Sequence, residues 1–150
     1  MSKRDQAKKL KINSLKSPLP TGEASVLNRE LLFSFKYYDE RNDQQYCLSK
    51  FEKDQVRTTL ERLKEVSKTT VNELRQKRQF YHFHEVDWRS TTIKDGFVNS
   101  ELRLLEPFQF SLINVNGQKA RVFGAMSHFT FYIVWFDLNH KIWPSFKRNT

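Results

Sequence analysis

The chain has 150 residues, the usual size of one domain with one hydrophobic core. Its 14% aromatic content argues against a wholly disordered chain, and no apolar run approaches the roughly 20 residues that a membrane helix needs. The formal net charge is +9, and residues Met1 to Lys11 are too polar for the core of a signal peptide. We therefore expect a cytoplasmic protein without a membrane partner.

More than half of the excess positive charge lies at the N-terminus. Residues 1–16 carry six basic side chains, among them Lys8, Lys9 and Lys11, against one acidic side chain, and a Pro- and Gly-containing stretch follows. We predict a basic disordered tail and linker over 1–26 and a single α+β domain over 27–150. Such a tail suits a polyanion, because Lys near phosphate releases condensed counterions. It could equally keep a Phe-rich protein soluble.

The domain is predicted to open with strands. From Glu30 to Tyr38 aromatic and polar residues alternate, which is typical of a half-buried strand. A polar turn precedes Gln44 to Leu48, which we expect to pair back as a second, short strand.

Two capping boxes predict two successive helices. Ser49 with Glu52 predicts a helix start at Ser49, and Thr70 with Glu73 predicts a second start after a break near Lys68. Apolar residues recur at helical spacing in the first of these helices: Phe51, Val56, Leu60, Leu63 and Val66.

The remainder favours antiparallel strands, with a hairpin signal at Asn116-Gly117 because both residues readily adopt positive φ. The nearly continuous apolar run Phe129 to Phe136 predicts a central strand. The other expected strands are Phe80 to His84, a possible one over Val86 to Trp88, and an edge over His140 to Trp143. An N-terminal strand, a helix pair and a C-terminal antiparallel sheet define an α+β fold.

Few catalytic motifs are present. The sequence has neither a Gly-rich phosphate loop nor a hydrolase elbow, so we expect no nucleotide cofactor. His82, His84 and Asp87 are weak candidates for metal ligands, since alternate residues of a strand share a face. A pair of half-exposed imidazoles is the simpler interpretation.

The predicted sheet could gather a cationic patch from Arg121, His128, His140 and Lys141. Such a patch can hold an RNA backbone, with Arg or Lys stabilising charge on phosphate and His acting as acid or base. The alternative is that alternation simply turns polar side chains outward. Trp143 and Phe146 lie close in sequence to the basic C-terminal residues Lys147 and Arg148. These two aromatic residues are candidates to stack on the nucleobases of single-stranded nucleic acid.

The segment FYIVWFDLNHKIWP, residues 131–144, resembles the end of small, poorly characterised bacterial and mobile-element proteins. More loosely, the element order is similar to that of the RelE/ParE toxin superfamily. Many members of that superfamily are ribosome-dependent endoribonucleases, and others poison gyrase. The resemblance implies RNA or the ribosome as target and a cognate antitoxin as partner.

Carried over residue by residue, the resemblance gives Arg121 the place of the family's strand Arg. His140 and Lys141 take the place of its acid/base and phosphate-contact group. Lys119 and His128 are our own supporting candidates and do not come from the resemblance. The leading hypothesis is a nucleic-acid-directed protein of a bacterial toxin or phage-defence type that could cleave RNA. The alternative is a non-catalytic adaptor that binds a protein partner through an aromatic edge. Whether the protein is an enzyme is left open.

Overall fold

The computed structural model describes residues 26–42, 45–115 and 118–144, and it confirms an α+β fold. Five strands of the described residues form one mixed sheet with the spatial order β1-β5-β4-β3-β2. The strands are β1 (Leu32–Ser34), β2 (His84–Glu85), β3 (Glu106–Val115), β4 (Gln118–Ser127) and β5 (Thr130–Asp137).

The C-terminal half of the sheet is an antiparallel meander. β3 pairs with β4 and β4 with β5, while β1 runs parallel to β5 and places β5 inside the sheet. The hairpin and the central strand are therefore confirmed, although the turn residues Asn116 and Gly117 lie outside the described residues. A bulge at Phe123/Gly124 shifts the register of β4 against β5.

Among the described residues between β1 and β2, three segments are α-helical: α1 (Lys53–Ser67), α2 (Val71–Gln76) and α3 (Arg78–Tyr81). The break near Lys68 and the cap at Thr70 are confirmed, because the Thr70 side chain accepts a hydrogen bond from the Glu73 N–H. None of the described helices has the length and apolar content needed to cross a bilayer.

The predicted helix start at Ser49 is wrong. Residues Leu48–Lys50 form a 3₁₀ turn, and α1 begins at Lys53 behind a capping box made by Glu52 and Gln55. The Gln55 side chain accepts from the Glu52 N–H at 2.7 Å, so Glu52 serves as the cap and not as the third helical residue.

Four predicted strands differ from the structure. Within Gln44 to Leu48, the described residues form no strand, and Gln44 lies outside them. Phe80 to His84 is wrong because its first residues complete α3, and Val86 to Trp88 runs into a 3₁₀ turn. His140 to Trp143 is a loop, since its N–H groups are held by a side chain.

The first strand is confirmed but is shorter than Glu30 to Tyr38. β1 covers Leu32–Ser34, after which the chain turns with the Tyr38 N–H donating to the Phe35 carbonyl. That turn leaves Phe35 exposed, so the aromatic alternation continues past the end of the strand.

Both faces of the sheet are covered. On one face α1 and α2 pack against a core that includes Leu63, Leu74 and Phe110. On the other, the segment 86–105 and the loop after β5 pack on Phe123 and Trp135. We call these the helix-side core and the loop-side core. Burial of both faces explains why β5 is almost uninterrupted in apolar residues.

The outer edge of β3 is only partly paired. β2 contacts it at two positions, opposite Phe108 and Gln109. Further along, Arg62 from α1 donates through Nε to the Ser111 carbonyl at 3.1 Å and through Nη2 to its hydroxyl at 3.2 Å. The guanidinium also lies over the Tyr81 ring, so α1, α3 and β3 are joined at this edge.

Candidate anion-binding site

Alternation along β4 and β5 places a buried charged pair on the loop side of the sheet. Arg121 stands opposite Asp137 in the antiparallel register, and the two residues are 6% and 1% exposed. Lys119, two positions before Arg121, lies on the same face and is half-buried. The sheet therefore carries two basic side chains toward its end near the β3–β4 hairpin.

Asp137 holds the loop that follows β5. Its Oδ1 accepts from the Lys141 N–H at 3.0 Å, and its Oδ2 accepts from the Ile142 N–H at 2.8 Å. Ile142 is fully buried in the loop-side core, which fixes the loop from its other side. His140, immediately before these N–H groups, is thereby held with a left-handed backbone at φ 55° and is 9% exposed.

Two further histidines approach from the β2 side. His82 ends α3 in a left-handed conformation with φ 50°, and His84 begins β2 opposite Gln109. Their ring centroids are 6.3 Å apart. The His82 Nε2 lies 3.2 Å from the Lys119 Nζ. Because an ammonium can only donate, this contact assigns His82 as a neutral ring accepting at Nε2.

The five basic side chains His82, His84, Lys119, Arg121 and His140 form what we call the basic cluster. Burial lowers the pKa of each of the three imidazoles, and the neighbouring positive charge of Arg121 lowers them further. The imidazoles therefore remain mainly neutral at pH 7. Burial also lowers the pKa of Arg121 to about 10, opposed by Asp137, so the guanidinium remains charged.

Arg121 is poorly satisfied by the protein. Its Nη1 donates to the Lys119 carbonyl at 3.2 Å, while its buried Nε has no hydrogen-bond partner among the residues that the structure describes. The Asp137 oxygens are directed to the loop N–H groups, and none of the ion pairs within the described chain involves Arg121. A buried N–H left unpaired costs about 1–3 kcal/mol, which an arriving acceptor can recover.

Burial also raises the pKa of Asp137, although the Ile142 and Lys141 N–H groups and the charge of Arg121 oppose the rise. Burial therefore destabilises the ionised form of Asp137, and the charge of Arg121 offsets part of that cost. The same carboxylate positions His140 and balances part of the Arg121 charge, so the two halves of the cluster are linked through one side chain.

Of the predicted patch of Arg121, His128, His140 and Lys141, the structure brings His140 near Arg121, and the supporting residue Lys119 lies two positions before Arg121 on β4. The structure does not bring His128 to them, because His128 follows Ser127 at the opposite end of β4, about 20 Å away at the usual rise per residue. There His128 lines a separate cavity of about 610 Å³. Lys141 adjoins the cluster through its backbone, but its side chain is exposed. The remaining candidates Lys8, Lys9, Lys11, Lys147 and Arg148 lie outside the described residues, as does Phe146.

The weak metal hypothesis finds no support in the geometry. His82 and His84 were expected to share a strand face, but His82 ends a helix. Asp87 instead caps a 3₁₀ turn, accepting from the Arg89 N–H and the Ser90 hydroxyl. In the described part of the chain, no three His, Cys, Asp or Glu side chains gather in a group that could hold an ion.

Sequence reasoning missed the place of His82 and His84 beside Lys119 and Arg121. The contact joins α3 and β2 to β4 across β3, and no local spacing encodes it. One partial signal is structural: the non-glycine residues with positive φ in the described chain are His82, His128 and His140, and two of these belong to the basic cluster. Such strain is common at functional sites.

Fold and site together define an α+β protein with a half-buried basic cluster at one end of a mixed five-stranded sheet. Neither the known family models, nor the curated proteins, nor the solved structures contain a match to this chain.

Proposed function

We propose that this protein acts on RNA, binding the phosphate backbone through the basic cluster and cleaving it, in the manner of a bacterial toxin or phage-defence nuclease. The observation that carries the proposal is the buried Arg121 guanidinium, which has no ion-pair partner within 4 Å among the described residues, donates to the Lys119 carbonyl and acts electrostatically on three imidazoles. A cluster of this kind attracts an anion, and its imidazoles add proton-transfer groups.

The chemistry suits metal-independent cleavage of RNA. A neutral imidazole can take the proton from a 2′-hydroxyl as its oxygen attacks the adjacent phosphorus, and a protonated imidazole can donate a proton to the departing 5′-oxygen. Arg121 and Lys119 would stabilise the charge that develops on the phosphate oxygens. His140 and His82 are the candidates for the two proton-transfer roles, because each is held in a fixed backbone conformation beside these cations.

The test is RNA binding and cleavage by the full chain across a range of salt concentrations. Arg121→Met and His140→Asn should each abolish cleavage, and Arg121→Met should also reduce the slope of log affinity against log salt by about one. Asn accepts the left-handed backbone of His140, so the loop should be preserved.

His128→Asn is the matched control. It replaces a histidine of the same positive φ at the far end of β4, and it should leave RNA binding and cleavage unchanged. RNA affinity that is absent, or that does not respond to salt, would remove the proposal.

A non-catalytic adaptor is the second candidate, and one observation favours it. Leu104 is 90% exposed and lines the cavity of about 610 Å³ together with Leu27 and Met126. An adaptor would neither bind nor cut RNA, and Leu104→Ser would prevent association with its protein partner without changing thermal stability. The adaptor is disfavoured if Arg121→Met abolishes RNA cleavage.

A further inference from the structure

We propose that a cavity on the loop side of the sheet receives an unpaired guanine of the same RNA strand whose phosphates the basic cluster binds. This inference rests on the proposed function and deepens it, since it names the base that the protein selects. The cavity has a volume of about 550 Å³, within the usual range for ligand sites, and is lined by residues of the segment 88–107, among them Trp88, Asp95 and Arg103. It shares no residue with the basic cluster.

The cavity and the basic cluster lie on the same face of the sheet. Pro107 of β3 lines the cavity and stands opposite Ala125 of β4, which belongs to the loop-side core. Arg121 comes four positions before Ala125 on β4, a separation of about 13 Å at the usual rise per residue. An extended RNA strand can therefore place a phosphate on the cluster and the base of a nearby nucleotide in the cavity.

Trp88 gives the cavity an aromatic wall. Its ring packs in T-shaped contacts against Phe97, with centroids 4.8 Å apart, and against Trp135 at 6.1 Å, which fixes its orientation. A Cβ at Gly96 would lie 3.0 Å from the Trp88 Nε1, so the glycine keeps a side chain away from this edge of the indole. Half-buried aromatic rings of this kind stack unpaired bases.

Two opposite charges in the cavity favour guanine over the other bases. The Asp95 carboxylate and the Arg103 guanidinium are both exposed, and neither takes part in an ion pair of the described chain. A carboxylate only accepts hydrogen bonds, so it suits the N1–H and N2 amino donors of guanine, while the Arg fork suits the acceptors O6 and N7. Adenine presents an amino group where guanine carries O6, and pyrimidines lack N7. Guanine is therefore the base that satisfies both side chains.

The experiment compares single-stranded RNAs that differ at one position, which carries guanine, hypoxanthine, adenine or uracil. Fluorescence anisotropy with the full chain should show the guanine strand binding about tenfold more tightly than the adenine strand, a difference of about 1.4 kcal/mol. Hypoxanthine lacks the N2 amino group, so its strand should lie between these two.

Variants separate base selection from phosphate binding. Asp95→Asn should remove most of the preference for guanine, because an amide group also donates. Arg121→Met should weaken the binding of all four strands alike and keep the preference. Glu61→Gln, which changes an exposed carboxylate on α1, is the matched control and should alter neither affinity nor preference.

The indole N–H resonances of the protein supply a direct readout by NMR. The chain has three Trp residues, and Trp88→Phe identifies the resonance of Trp88. That resonance should shift when the guanine strand is added. The Trp135 resonance should stay in place, because its N–H donates to the buried Asp39 at 3.0 Å. A purely structural role of the segment 88–107 would not produce a shift that depends on the base.

The possible failures are distinguishable. Equal affinity for all four strands, with salt-dependent RNA binding and cleavage retained, overturns the guanine site and leaves the proposed function standing. A shift of the Trp88 resonance with guanosine monophosphate, without binding of any RNA, overturns both and assigns the cavity to a free nucleotide.

Discussion

Replacing Arg121 by Met tests the energetic basis of the basic cluster. Met has a similar length but no charge, so the change removes a buried guanidinium and its unpaired Nε, which should recover about 1–3 kcal/mol. It also removes the attraction to Asp137. The two groups are more than 4 Å apart, so at an effective dielectric of about 20 that attraction is worth less than about 4 kcal/mol.

Whether Arg121→Met raises or lowers the free energy of unfolding should therefore depend on pH. Burial raises the pKa of Asp137 above its usual 3.8, so its contribution to stability is full below 3.8 and is lost as pH rises through the folded-state pKa. Arg121 opposes that rise. In Arg121→Met we expect the pKa of Asp137 to be higher still. The free energy of unfolding then falls with rising pH over a wider range, by up to about 1.4 kcal/mol per pH unit.

Urea unfolding at several pH values between 4 and 8 gives the free energy of unfolding of the wild type, Arg121→Met, Asp137→Asn and the double variant. The stability of Arg121→Met should match or exceed that of the wild type at the lowest pH and fall below it as pH rises. Asp137→Asn should cost about 1–3 kcal/mol because an amide oxygen can replace only one of the two carboxylate acceptors. The double variant should lose the pH dependence. A pH-independent difference between Arg121→Met and wild type would refute the reasoning.

Other predictions concern the scaffold and the chemistry. Gly124→Ala should destabilise the fold by several kcal/mol in urea unfolding, roughly 3 or more, because the added Cβ would overlap the Tyr132 carbonyl oxygen; an unchanged midpoint would contradict the packing at the bulge. Thr70→Ala should cost about 1 kcal/mol through loss of the hydrogen bond from the Glu73 N–H, and Thr70→Ser should restore most of it. RNA cleavage should slow between pH 6.5 and pH 8, since burial lowers the pKa of His140 and the protonated imidazole becomes scarce; a rate that rises over this range would exclude an imidazolium acid.

The elements of the fold that the sequence predicted correctly are those specified by residues close together in the chain. Asn116-Gly117 between two apolar runs specified the β3–β4 hairpin, and Thr70 with Glu73 specified the start of α2. Where two local signals competed, the prediction failed. Ser49 with Glu52 resembles a capping box, but the overlapping pair Glu52 and Gln55 forms the actual one.

In the candidate site, too, the placement of some residues follows from local sequence patterns and that of others depends on tertiary contacts. Strand alternation after the hairpin places Lys119 and Arg121 on one face, so their proximity was predictable from the sequence. The aromatic run before His84 reads as a strand, yet its first residues close α3 because they pack on α1 and β3. Because tertiary packing and not local pattern determines this helix end, the contact between His82 and Lys119 could not be predicted from the sequence.

The Arg62 contact at the edge of β3 has a consequence for how copies of this chain behave at high concentration. An unpaired strand edge is a template for another strand, and β2 covers only two positions of β3. The Arg62 guanidinium occupies the next available carbonyl, at Ser111, and brings a positive charge to the place where a second copy would have to pair. We therefore expect the Arg62 side chain to disfavour edge-to-edge pairing of two copies at this position of β3.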